Sequence, residues 1–123
     1  MVISSLENIK GQMFDFGAIA KMQSNPSGFI NKHYQCWNGY LEKVLRSDMP
    51  EEYDRIAVKA VVTLIANWRS SRAGLLHDGV VPSHAVGYFM GFWAWDSWKH
   101  AAALADFAPE LAKNQVRAMF DYQ

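Results

Sequence analysis

Very little in this chain announces a covalent or electrostatic device. A single cysteine, Cys36, leaves no partner for an internal disulfide and no set of thiolates for a metal cluster. It is expected to be a small buried side chain. Neither sign of charge is in excess, with 12 Lys and Arg against 12 Asp and Glu, so no basic field exists to hold a nucleic acid backbone. No apolar run approaches the roughly 20 residues that cross a bilayer. The opening Met-Val-Ile-Ser-Ser-Leu-Glu lacks the basic segment, apolar core and cleavage site of a secretory leader, which is expected, if one exists, outside these residues. Glycine-rich phosphate loops, fixed-period repeats and low-complexity tracts are missing too.

What remains reads as one soluble globular unit of unusual aromatic content. Aromatic residues are 14% of the chain and include five tryptophans, which in so short a sequence implies a very dense core or surfaces meant to be covered by further polypeptide. The second reading is preferred.

Helical patterning dominates. Leu6, Ile9, Met13, Phe16 and Ala20 recur at three- and four-residue spacing, with Gly11 and Gly17 weakening the pattern and Ser24-Asn25-Pro26-Ser27-Gly28 breaking it. Trp37, Tyr40, Leu41, Val44 and Leu45 mark a second helix, which Ser47-Asp48-Met49-Pro50 ends. From Pro50 to about Ser70 the pattern is strongest. Pro50 suits a first turn, and Glu51, Glu52 and Asp54 complement the positive helix end. Residues 56 to 66 are apolar on nearly every side, as expected of a helix inside something larger.

Residues 71 to 93 carry Gly74, Gly79, Pro82, Gly87 and Gly91, and read as a long loop with a short strand or two. His77, Asp78 and His84 lie in it, but their spacing fits no common zinc site, and sugar-hydroxyl contacts or loop hydrogen bonds are the expected use. A helix is predicted from near Trp95 or Asp96 to about Asp106, with Ala94, Trp98, Ala101 and Ala105 forming a face that a neighbouring helix can approach closely. Ala108-Pro109-Glu110 then restarts a helix with Leu111, Ala112, Val116, Met119 and Phe120 apolar, and Arg117 and Asp121 spaced for an i,i+4 pair. The chain stops at Asp121-Tyr122-Gln123 without a helix-ending glycine, which reads as a truncation.

The chemistry concentrates in Gly91-Phe92-Trp93-Ala94-Trp95-Asp96-Ser97-Trp98-Lys99-His100, where one carboxylate stands among three tryptophans. Indole rings offer flat apolar faces that pack on the C–H face of a sugar. A carboxyl group held in an apolar wall keeps its proton, as a glycosidase general acid must. The plainer alternatives are an aromatic core segment and, for Asp96, a helix cap or first-turn aspartate.

The run FWAWDSWKHA followed by ADFAPELAKNQVRAMFDYQ, with the preceding NWRSSRAGLLHDGVVPSHAVGYFMG, resembles glycoside hydrolase family 63, the family of processing α-glucosidase I and related bacterial α-glucosidases. The likeness covers most of residues 50 to 123, and residues 1 to 49 fit loosely as preceding helical sequence. It implies an all-α fold, in which helical hairpins form part of an (α/α)6 barrel and a long loop precedes the Asp96 helix. Asp96 is then the general acid of an inverting exo-α-glucosidase acting on oligosaccharides or disaccharides with α-linked glucose. Trp93 and Trp95 are candidate walls of the subsite for the terminal glucose, with Trp98, Phe92 and His100 as further substrate-binding candidates. No metal or other cofactor is implied, no membrane or nucleic acid partner, and a bacterial member would be periplasmic.

A full barrel of a dozen helices needs roughly 350 residues at ordinary helix and loop lengths, whereas 123 hold about a third of it. An inverting enzyme also needs a general base, its carboxyl about 6.5–9.5 Å from that of the acid. In the family that base is a glutamate far downstream, which nothing here matches; Asp106, Glu110 and Asp121 read as solvated or capping charges. The isolated chain is therefore expected to be inactive, with the remainder of the catalytic domain covering its exposed apolar faces. The alternatives are a catalytically inactive helical scaffold or carbohydrate-binding piece, and a helical protein-interaction module.

Overall fold

The computed structural model describes residues 16–121. The chain divides into two compact units, Met1–Gln35 and Cys36–Gln123. Among the described residues it is mostly helical, with five helices and one two-stranded sheet. None of these helices is long and apolar enough to cross a membrane.

In the first unit, helix α1 spans Phe16–Ser24 and helix α2 starts at Pro26 and runs to Val44. The predicted break shrinks to Asn25, because Pro26 suits the first helical turn and the Asn25 Oδ1 accepts a hydrogen bond from the Gly28 N–H at 2.9 Å. The stripe positions Leu6, Ile9 and Met13, with Gly11, lie outside the described residues.

In the second unit, the end of α2 presents Trp37, Tyr40 and Val44 to a core of Val61, Val80, Leu104, Phe107, Ala108 and Ala112. Tyr40 bridges the aromatic contacts, edge-on to both Trp37 (6.0 Å) and Phe107 (5.4 Å). Lys43 Nζ donates to the Phe107 carbonyl at 3.0 Å. Cys36 is exposed, not buried as expected: it sits one turn before Tyr40, at the edge of the packed stripe and about 100° round the helix from Trp37.

Pro50 precedes a 3-10 turn, Glu51–Tyr53, that leads into helix α3, Asp54–Ala66. The helix ends four residues before the predicted limit. Asn67 stops it by turning its side-chain Nδ2 back to the Thr63 carbonyl (2.9 Å), which leaves Trp68 and Arg69 free to enter a strand. Within this chain α3 is not buried all round: Val61 is buried, while Ile56 is 65% exposed.

Strand β1, Trp68–Arg69, pairs antiparallel with β2, Gly79–Val80, in the register Trp68↔Val80 and Arg69↔Gly79. The Val81 N–H extends the pairing to the Asn67 carbonyl at 3.0 Å. Between the strands, Arg72 and Leu75 close a tight turn in which Ala73 takes a positive φ of 52°. A second 3-10 turn, Gly87–Phe89, precedes helix α4, Ala94–Ala105, and helix α5, Pro109–Asp121. Helix α4 starts and stops close to its predicted limits and α5 starts where predicted, since Pro109 can begin a helix but cannot continue one.

A buried polar contact joins these pieces. Gln115 on α5 is fully buried; its Oε1 accepts from the Val80 N–H, and its Nε2 donates to the Val80 carbonyl (3.0 Å) and to Ser97 Oγ on α4 (3.0 Å). One side-chain amide thus pairs with both backbone groups of an edge-strand residue, as a third strand would. A Cβ on Gly79 would lie 2.5 Å from Gln115 Oε1 and 2.9 Å from the Phe92 ring, so this close approach requires glycine.

Candidate active site around Asp96

Helix α4 opens with Trp93 as its cap residue in extended conformation and Asp96 in its first turn, where a negative charge meets the positive helix end. The Ser97 N–H donates to the Trp93 carbonyl at 2.8 Å, closing that turn. Ser97, Ala101 and Leu104 recur at four and three residues and form the buried face. Asp96, next to Ser97, comes out half-buried at the edge of that face. Among the described residues no hydrogen bond or ion pair engages its carboxylate.

The aromatic residues around it take different directions. Trp93 is 45% exposed, donates its indole N–H to the Tyr88 carbonyl (3.1 Å) and meets Phe89 edge-on at 5.4 Å; Phe89 is 4.3 Å from Tyr88. Trp95 is the most exposed of the group at 74%, and Lys99, one turn later, places its ammonium 4.3 Å from the ring centre. Trp98 lies about 200° round the helix from Asp96 and meets Phe120 of α5 at 5.9 Å. Phe92 is half-buried, with its ring against Gly79. His100 follows Asp96 by four residues, on the same side of α4, half-buried and with a buried Nδ1 that has no hydrogen-bond partner among the described residues.

Asp96, His100 and the Trp95–Lys99 pair therefore share one flank of α4, Trp93 stands at its start, and Trp98 faces elsewhere. One participant, Tyr88, had no place in the sequence reading. Tyr88, 69% exposed, extends the Trp93 cluster, and the adjacent aromatics Tyr88-Phe89 were its visible signal. Lys99 was visible as the i+4 partner of Trp95.

Other polar candidates are engaged separately. His77 Nε2 is 3.4 Å from Asp121. Asp78 accepts from the Trp68 indole (3.2 Å) and from Asn114, and His84 approaches the Trp68 carbonyl at 3.4 Å. Among the described residues no group of three His, Cys, Asp or Glu side chains is placed to hold a metal ion. The expected Arg117–Asp121 pair does not form, because Arg117 donates to Asn114 Oδ1 (3.1 Å) and Asp121 turns to His77. Glu110 pairs with Lys113 at 2.6 Å on the surface, and this neighbouring ammonium lowers its affinity for a proton.

Three of the four residues of the predicted small-residue face of α4 border α5, and Ala94 is exposed outside it. Trp98, Ala101 and Ala105 line an open groove of about 620 Å³, whose other wall is Pro109, Ala112 and Val116 of α5. Its floor is apolar, and its two cations are already engaged, Lys113 by Glu110 and Arg117 by Asn114. No family model matches the chain.

Proposed function

We propose that this chain is the acid-bearing part of an inverting exo-α-glucosidase, forming a portion of an (α/α)6 barrel, with Asp96 as the general acid. The single observation that carries the reading is a half-buried, unpartnered carboxylate in the first turn of α4, preceded in that turn by the exposed Trp93 and Trp95. A structural aspartate in that position spends its oxygens on neighbouring N–H groups or cations. Asp96 keeps its oxygens for another molecule. The two indole faces that precede it in sequence suit the apolar face of a terminal glucose.

The distribution of apolar surface supports the larger domain. Ile56, Val62, Leu76, Trp98 and Phe120 are all exposed in the second unit, while four of the nine buried hydrophobic residues among those described are alanines. A chain of this kind carries faces that further helices would cover. The general base comes from that additional polypeptide, and the resemblance assigns the bacterial form of the enzyme to the periplasm.

The test is a longer polypeptide that includes the downstream glutamate. It should release glucose from α-linked oligosaccharides, and Asp96→Asn should lower that rate by about 10²–10⁴-fold, the usual weight of a positioned proton donor. Release at the parent rate in Asp96→Asn removes Asp96 as the acid.

A further inference from the structure

A second open groove, of about 650 Å³, runs between α3 and α4. Ile56, Ala60 and Leu64 recur at four-residue spacing along one wall, and Ala103 faces them from the other. At about 1.5 Å per residue this apolar strip is roughly 12 Å long, enough for two turns of a helix. The alanines let another backbone come close.

Charge distinguishes this groove from the one between α4 and α5. Arg55, Lys59 and Lys99 line it, His100 contributes to its wall, and no carboxylate does. Among the described residues Arg55 and Lys59 have no acidic partner, and Lys99 is engaged only by the Trp95 ring. Covering these cations with a neutral or basic surface would desolvate them with nothing in return. Acidic side chains beside an apolar stripe satisfy both parts of the groove.

We infer that the α3–α4 groove seats an acidic amphipathic helix supplied by the polypeptide that completes the domain. The inference rests on the reading of this chain as part of a larger helical domain, and it adds the chemistry of the element that covers α3. Leucines of that helix lie along Ile56, Ala60 and Leu64, and its carboxylates face Arg55, Lys59 and Lys99.

The test titrates the 123-residue chain with two synthetic helical peptides that share one leucine stripe, flanked by Glu in the first and by Lys in the second, read by fluorescence anisotropy. The Glu peptide should bind at least about tenfold more tightly, a preference that weakens with added salt. The double variant Arg55→Glu with Lys59→Glu should reverse the preference while circular dichroism shows its helix content unchanged. Equal affinities, no binding of either peptide, or an unreversed preference overturns the proposal. Ile56 is exposed, so Ile56→Glu keeps the fold and should abolish binding; retained binding in that variant also overturns it. Sedimentation of the chain alone is the second measurement, and self-association abolished by Ile56→Glu would assign the groove to a second copy instead. Peptide binding is read on the 123-residue chain and glucose release on the longer polypeptide, so a failure here is distinguishable from a failure of the glucosidase reading.

Discussion

Replacing Gln115 by leucine tests the contact that joins α5, β2 and α4. The two side chains are similar in size, so the perturbation is chemical. Leucine leaves the Val80 N–H, the Val80 carbonyl and Ser97 Oγ without the partners that Gln115 now supplies. All three residues are at most 1% exposed, so water cannot replace what is lost. Buried polar groups left unsatisfied cost about 1–3 kcal/mol each. The Ser97 hydroxyl can turn to a carbonyl of its own helix, which leaves two backbone groups and a cost of roughly 2–6 kcal/mol. The extra apolar burial of leucine offsets part of this, and a net loss of about 2–4 kcal/mol remains. With a urea dependence of about 1–3 kcal/mol per molar, the unfolding midpoint should fall by about 1–2 M. Tryptophan fluorescence in urea reads the midpoint, and hydrogen exchange reads the Val80 amide directly, which should lose its protection. A variant within about 0.5 kcal/mol of the parent, the range of ordinary surface changes, with a still-protected Val80 amide, would refute the reasoning.

Two further predictions concern the same unit. Gly79→Ala drives a Cβ against Gln115 Oε1 and the Phe92 ring, both held in place, and should cost about 1–3 kcal/mol in the same urea assay; paired with Gln115→Ala the two losses should fall short of additive, and strict additivity would argue against the clash. Tyr40 is pushed up to about 12, first by the hydrogen bond with the Cys36 side chain, then by burial and by the charge on Cys36. Because its folded value lies above the ordinary 10.0, its contribution to stability is complete below pH 10 and is lost as the pH rises through about 12. Cys36→Ala should move the tyrosinate absorbance step of Tyr40, identified by its loss in Tyr40→Phe, down toward the ordinary value, and an unmoved step would remove Cys36 as the cause.

The helices α4 and α5 were legible because their order rests on local signals: an apolar period on each, and a proline at the one position where it can start α5. The long loop was legible from its glycines and Pro82. Strand β1 was not, since Trp68 and Arg69 continue a helical pattern and become extended only because the Asn67 side chain ends α3 and β2 arrives from ten residues away. Ser97 and Gln115 were missed for a related reason. Polar residues on a buried face look like surface until the partner is known, and the partner of Gln115 is 35 residues away. Around Asp96, the position at the start of α4 was readable from the sequence, but the division of the tryptophans between its flanks depends on where α5 and the Tyr88–Phe89 turn pack.

The same buried amide bears on the chemistry proposed for α4. A general acid contributes only when its oxygen is held within a fraction of an ångström of the leaving group, by elements whose own positions are fixed. Asp96 has no side-chain partner to hold it, so its placement depends on the backbone of the first turn of α4. Its neighbour Ser97 is fixed by Gln115, and Gln115 is fixed in turn by both backbone groups of Val80. On the opposite side of the turn, the Trp93 indole is tied to the Tyr88 carbonyl. The backbone is thus secured on either side of a carboxylate that is itself left unengaged. Rigidity from neighbours and freedom at the oxygens is the combination that proton donation requires, and a cap or core aspartate would show the reverse, with its oxygens spent on holding the helix.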